Sequence, residues 1–246
     1  MFLSRQILSM MLLCLSLRSS MVIVKPLQAQ IIYPDHTIVS SVKKVNSLTA
    51  ISQTSDERAE MLFEKGVNQG EAGNYSLAVT LFSQVISLSS LSPEAYYNRG
   101  LSFERLGKSA QAIADYNETL RLDNLYVPAY INRGNLYSQQ GNHQKAVIDF
   151  SRAIEVDPNR YKAYYNRANS YFQLTNYQQA IADYEIVLVL QPDYIDAIYN
   201  RGLTYYQLGE LDHARKDLFQ AAQQYLNKGD RNNYLEALER ITELNL

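Results

Sequence analysis

Four asparagines, Asn98, Asn132, Asn166 and Asn200, recur at one constant interval of thirty-four positions. An amide side chain both donates and accepts, so a column of them can hold the backbone of another chain without reading its side chains. A second periodic set is charged. Arg99, Arg133, Arg167 and Arg201 are each followed, always at the same distance, by an acid: Asp115, Asp149, Asp183 and Asp217. The earliest related segment has Lys65 and Leu81 at these places, so the two residue types come and go together. That co-occurrence predicts a structural Arg–Asp pair, in which loss of one partner would strand the other. The alternative use of the same arginines is to hold an anionic ligand.

The residues that catalysis needs do not converge. His36, His143 and His213 share no spacing that would make a metal or acid–base cluster, and the aspartates stand a full repeat apart. There is no Gly-rich phosphate loop and no GxSxG elbow, and Cys14 lies in an apolar N-terminal stretch. No metal, no cofactor and no enzyme activity are expected. A net charge of −2 argues against nucleic acid or an anionic membrane surface as an electrostatically driven partner. With 46% apolar residues the chain supports a folded core, and with 20 tyrosines and no tryptophan, tyrosine must serve both packing and contact.

The elements that carry these residues are set by a repeat. AYYNRG (95–100), AYINRG (129–134), AYYNRA (163–168) and AIYNRG (197–202) begin at the same interval as the asparagines, with a degenerate copy around Gly66. Five units follow without insertion: 59–92, 93–126, 127–160, 161–194 and 195–228. Small residues hold the eighth place (Gly66, Gly100, Gly134, Ala168, Gly202) and the twentieth (Ala78, Ala112, Ala146, Ala180, Ala214). Two facing small residues let antiparallel helices approach closely. Aromatics recur at the eleventh place (Phe103, Tyr137, Tyr171, Tyr205) and at the twenty-fourth (Phe82, Tyr116, Phe150, Tyr184), with Leu218 in the last unit, and both sets are expected to fill the space between hairpins. Gly73, Gly107, Gly141 and Gly209 mark turns, Thr175 replaces glycine in the fourth unit, and Pro158 and Pro192 end second helices. Thr54 with Glu57 predicts a capping box at the start of the first helix, and 229–246 a capping helix with Tyr234, Leu238 and Ile241 on one face.

This pattern resembles the tetratricopeptide repeat (TPR) family over all five units, and the YNRG and AIADY phrases are most similar to repeat proteins common in cyanobacteria. The resemblance implies an all-α, right-handed superhelical solenoid with a concave groove lined by the first helix of each unit. Carried onto this sequence, the groove would present Asn98, Asn132, Asn166 and Asn200 at the sixth place, similar to the asparagine ladder of the O-linked N-acetylglucosamine transferase repeats. Beside them would stand Tyr97, Tyr165 and Tyr199, then Asn135 and Asn169, then Phe172 and Tyr206. The two-carboxylate clamp of chaperone-binding relatives is disfavoured, because Ile131, Asp196 and Asn200 stand where bases belong. The implied function is a non-catalytic protein-interaction scaffold or assembly factor with a protein or peptide partner. The alternatives are a self-associating structural protein and an accessory subunit of an enzyme complex.

Upstream, Arg5 and the apolar run Ile7–Leu17 read as an export signal or N-terminal anchor over 1–29, since eleven residues are too few to span a bilayer. Ala29 offers a cleavage site. The expected location is the periplasm or thylakoid lumen, with membrane contact only through an uncleaved segment; a start at Met10, Met11 or Met21 would instead mean the cytoplasm. Residues 30–54, rich in Ser, Thr and Val, read as a flexible linker.

Overall fold

The computed structural model describes the backbone of residues 36–245 and side chains from Thr54 onward. The chain divides into two units, residues 1–49 and 50–246. The expected signal segment lies outside the described residues. Eleven helices are found among the described residues: α1 His36–Glu71, α2 Tyr75–Leu88, α3 Pro93–Arg105, α4 Ser109–Leu122, α5 Val127–Gln139, α6 His143–Val156, α7 Tyr161–Gln173, α8 Tyr177–Leu190, α9 Ile195–Gln207, α10 Leu211–Asn227 and α11 Arg231–Glu243. None of them is long and apolar enough to cross a membrane.

The linker expectation fails over residues 36–54, which are helical and belong to α1. No glycine or proline stands between His36 and Lys65, and once a helix has nucleated each added residue gains a backbone hydrogen bond. The modest helix cost of Val, Thr and Ser does not stop it. Thr54 and Glu57 therefore lie inside α1 and do not form the expected N-terminal capping box.

From α1 onward the repeat dictates the local structure. Ser92 Oγ accepts from the Ala95 N–H and Pro93 opens α3, while Asn142 and Asp230 cap α6 and α11 in the same manner. The turn between paired helices needs positive φ, and Gly73, Gly107, Gly141 and Gly209 supply it at φ +72 to +80°. Thr175 takes the same place with φ 60°, a conformation that costs an L-residue with a β-carbon about 1–2 kcal/mol.

The hairpins α3/α4, α5/α6, α7/α8 and α9/α10 stack in order, and α11 packs on α10. The alanines of the twentieth place are wholly buried. The small residue of the eighth place does not chiefly face them, however. A β-carbon at Gly66, Gly100 or Gly134 would lie 2.7–2.8 Å from the ring of Phe82, Tyr116 or Phe150. The small residue makes room for the buried side chain of the twenty-fourth place, a ring in the first three units and Leu218 in the fifth. That side chain packs chiefly inside its own hairpin and does not fill the space between hairpins as expected. The eleventh-place rings are half-buried and lie beneath cations: Arg99 sits 5.9 Å from the Phe103 ring, Arg167 5.8 Å from Tyr171 and Arg201 5.9 Å from Tyr205. In the cap, Ile241 is buried and Tyr234 and Leu238 pack with it on Leu218 and Ala222, as their spacing predicts.

Candidate functional site

The charged pairs form as the sequence predicts. Arg99 Nε and Nη2 donate to Asp115 at 2.8 and 2.7 Å, Arg133 to Asp149 at 2.8 and 2.6 Å, Arg167 to Asp183 at 2.7 and 2.7 Å, and Arg201 to Asp217 at 2.7 and 3.0 Å. The aspartates are buried and the arginines half-buried. Asp115 hydrogen-bonding holds the Arg99 guanidinium above its ordinary range, as Asp183 does for Arg167, while burial pushes the Asp183 carboxyl up against that pull.

A third contact was not evident in the sequence. Arg99 Nη1 reaches back to Ser83 Oγ at 3.1 Å, Arg133 to Asn117 Oδ1 at 2.6 Å and Arg167 to Ser151 Oγ at 3.0 Å. Each of these arginines thus ties its own hairpin to the preceding one. Three of the five N–H groups of each of these guanidiniums are thereby engaged within the stack.

One residue before each arginine, and so about 100° around the first helix, the asparagines behave in two ways. Asn132 Nδ2 donates to Tyr97 Oη at 3.1 Å, and Asn200 Nδ2 to Tyr165 Oη at 3.0 Å and Asn169 Oδ1 at 3.2 Å. Asn166, whose preceding unit offers Ile131 and no hydroxyl, donates instead to Asn135 Oδ1 at 2.8 Å. Asn98 turns back to the Glu94 carbonyl of its own helix at 2.8 Å and joins no neighbour. The column is therefore a set of staples between units as well as a surface. Among the described hydrogen bonds none is donated to the amide oxygens of Asn132 and Asn166, which stay available as acceptors.

The tyrosines expected beside that column are partly withdrawn into packing. Tyr97 lies 5.8 Å from Tyr116 and 4.9 Å from Tyr126; Tyr165 lies 6.1 Å from Tyr184 and 5.0 Å from Tyr194. Burial raises the phenols of Tyr97 and Tyr165, and pushes those of Tyr126 and Tyr194 up to about 12. Tyr199 is covered by the cap, packing with Tyr234 and Leu238 near Arg240. Phe172 stays half-exposed at 5.6 Å from Tyr177, and Tyr206 is also half-exposed.

Two recesses open on this face. One, of about 200 Å³, lies between α3, α5 and α7 and includes Glu104, Asn135 and Asn166. The other, of about 370 Å³, lies between α5, α7 and α9 and includes Phe172, Tyr184, Asn200 and Leu203. Ser138 and Asn169 line both, so the recesses form one groove. Glu104 is the groove residue that the sequence reading did not name: it holds the twelfth place of its unit, as Phe172 and Tyr206 do in theirs, but it is an acid where they are aromatic.

Sequence profiles of the tetratricopeptide repeat match residues 63–126, 127–160, 150–182 and 168–243, the same stack of hairpins just described. The chain belongs to the tetratricopeptide-repeat family. A TPR repeat-containing protein of Synechocystis is 64% identical over 36 residues, a stretch that covers 15% of this chain and 14% of that protein. The solved structure of MamA is 22% identical with a TM-score of 0.66, over 72% of this chain and 97% of MamA. YrrB, described as a TPR protein with an unusual peptide-binding site, is 19% identical with a TM-score of 0.67, over 78% of this chain and 97% of its own. At these identities the two structures establish the fold.

Proposed function

We propose that this tetratricopeptide protein is a non-catalytic scaffold or assembly factor that holds a peptide segment of a partner protein in its concave groove. The observation that carries the reading is the recess from Glu104 to Leu203, which Asn166 lines with an amide oxygen free to accept from a backbone N–H, while the oxygen of Asn132, one unit earlier in the same column, is likewise not engaged among the described hydrogen bonds. The peptide-binding site named for YrrB supports it by likeness of fold. The test is an immobilised peptide array probed with the full-length chain. Peptides that bind the native protein are expected to be lost by the Asn132→Ala/Asn166→Ala variant and kept by Tyr97→Phe, which removes a staple but leaves both oxygens. Equal loss in both variants would reduce the asparagines to structure and sink the reading.

A second reading, self-association, is favoured by the C-terminal end, where Phe219, Leu226 and Leu235 are each about half-exposed beside a recess between α10 and α11. Light scattering at high concentration decides it, since a strict monomer excludes it. We also propose export, led by the apolar run Ile7–Leu17. N-terminal sequencing of the mature protein from its native envelope should find a start after Ala29; a start at or before Met21 would overturn cleavage.

A further inference from the structure

The two halves of the groove differ in chemistry. In the half between α3, α5 and α7, Glu104 Oε2 accepts from Tyr116 Oη at 2.7 Å, which leaves its second oxygen open, and Glu104 enters no ion pair among the described residues. No Lys or Arg lines this recess. Arg105, its neighbour in sequence, is exposed and lines a separate recess with Asn98 and Leu101. Asn166 spends an amide hydrogen on Asn135 and leaves its oxygen. The field of the carboxylate is felt nearby: after burial it is a further cause that holds the Tyr97 and Tyr116 phenols above their ordinary range. The unspent capacity here is a negative charge with acceptors around it, which matches a cation with several donors.

In the half between α5, α7 and α9 the Asn169 oxygen and the Asn200 amide hydrogens are already paired within the protein, and the charged group of the other half has no counterpart. Asn169 Oδ1 accepts from Tyr184 Oη at 2.6 Å and from Asn200 at 3.2 Å, and Asn200 also donates to Tyr165. What remains for a guest is apolar wall: Phe172, Leu203 and the ring of Tyr184. His143 stands at its edge, near Ser138 Oγ at 3.4 Å.

We infer that the segment this groove takes carries a basic side chain seated at Glu104 and an apolar side chain seated between Phe172 and Leu203. The inference rests on the groove-binding reading above and names the chemistry of its guest. The spacing follows from the fold. Glu104 lies on α3 and the apolar seat lies between α7 and α9, about two to two and a half helix spacings away. At about 8–10 Å per spacing and about 3.3 Å per residue of extended chain, the two anchors stand about six residues apart. Charge complementarity sets the first anchor and desolvation of apolar surface the second.

The test uses the full-length protein and fluorescein-labelled decapeptides of Ala and Ser, read by fluorescence anisotropy. The peptides carry Lys or Glu at one position and Leu or Ser six positions away, in both orders. A Lys–Leu peptide in one of the two orders is expected to bind at least tenfold more tightly than its Glu–Leu and Lys–Ser counterparts. Glu104→Gln, which keeps an acceptor for Tyr116, should erase the Lys-over-Glu preference while sparing Leu-over-Ser. Phe172→Ala should do the reverse. Binding that ignores charge, or favours Glu, overturns this inference and leaves the groove reading intact if the Asn132→Ala/Asn166→Ala variant still abolishes it. Failure of every decapeptide, together with an array on which nothing binds, overturns both.

Discussion

The second and fourth units differ from the first and third in a way that the single-unit period hides. Units two and four carry tyrosine at the fifth, twenty-fourth and thirty-fourth places: Tyr97, Tyr116 and Tyr126, then Tyr165, Tyr184 and Tyr194. Units one and three have Phe63, Phe82 and Ser92, then Ile131, Phe150 and Arg160. In the tyrosine units a buried ring sends its hydroxyl to the groove, Tyr116 to Glu104 and Tyr184 to Asn169, and the next unit's asparagine docks on a second tyrosine. In the other two the ring is purely apolar. The working period of the stack is thus a pair of units. Polar pairing between hairpins alternates with plain packing, while the Arg–Asp pair, absent from the first unit, is formed in the third as in the second and fourth.

That last point gives the largest expected effect. Asp149 belongs to a phenylalanine unit and Asp183 to a tyrosine unit, and each accepts two bonds from its arginine while buried. Asp149→Ala and Asp183→Ala should each lower stability by about 3–5 kcal/mol, because a half-buried guanidinium is left with no counter-charge. Urea unfolding measures both. A loss below about 1 kcal/mol in either would show that its arginine escapes to water, as surface pairs do. Unequal losses would mean that the alternation extends to the pair.

The buried tyrosines should separate the two kinds of unit. Tyr184→Phe is expected to cost about 1 kcal/mol at neutral pH through the lost bond to Asn169. Phe150→Tyr should be near neutral, since Asn135 stands in the third unit where Asn169 stands in the fourth. Burial, the leading cause, raises the Tyr184 phenol far above its ordinary value. The sign is then fixed: the phenol's contribution is complete below its unfolded pKa of about 10 and is lost as pH rises above it, by about 1.4 kcal/mol per pH unit. The two effects cross, so Tyr184→Phe should become the more stable protein above about pH 11. Parallel curves from mildly to strongly alkaline pH would remove the hydroxyl from this account.

The turns offer a smaller and opposite change. Thr175→Gly should raise stability by about 0.5–1 kcal/mol, the left-handed strain relieved less the entropy that glycine adds to the unfolded chain. Gly141→Thr, the reverse change at the equivalent turn of the third unit, should lower it by a similar amount. A neutral Thr175→Gly would mean that local contacts already offset the strain.

Much of this architecture was legible because it is written in residue identity at fixed places. Gly134 and Ala146 recur wherever a hairpin must close, and Arg133 with Asp149 wherever it is tied. What the period could not convey lies between units and in exceptions. That Asn166 has the amide of Asn135 but no hydroxyl to bond, whereas Asn200 bonds both Asn169 and Tyr165, follows from Ile131, which only the preceding unit reveals. Glu104 belongs to the groove through a single non-repeating residue. The length of α1 was obscured by β-branched and serine residues whose small propensities were outweighed by continuity of the helix. The alternation itself was present in Tyr126 and Tyr194, and comparing units two apart would have found it.

The asparagine column gives the finest discrimination. Asn132 is stapled to the tyrosine of the unit before it, whereas Asn98 follows Phe63 and bonds only within α3. Asn132→Ala should therefore cost about 1 kcal/mol, and Asn98→Ala should stay within about 0.5 kcal/mol of the native protein. Replacing Phe63 by tyrosine would place a hydroxyl before Asn98 as Tyr97 stands before Asn132. If the staple is what distinguishes the two asparagines, Asn98→Ala in the Phe63→Tyr background should become as costly as Asn132→Ala. A double-mutant cycle read by thermal unfolding isolates that coupling. A coupling of zero would locate the difference in the divergent first unit as a whole, not in the one hydroxyl it lacks.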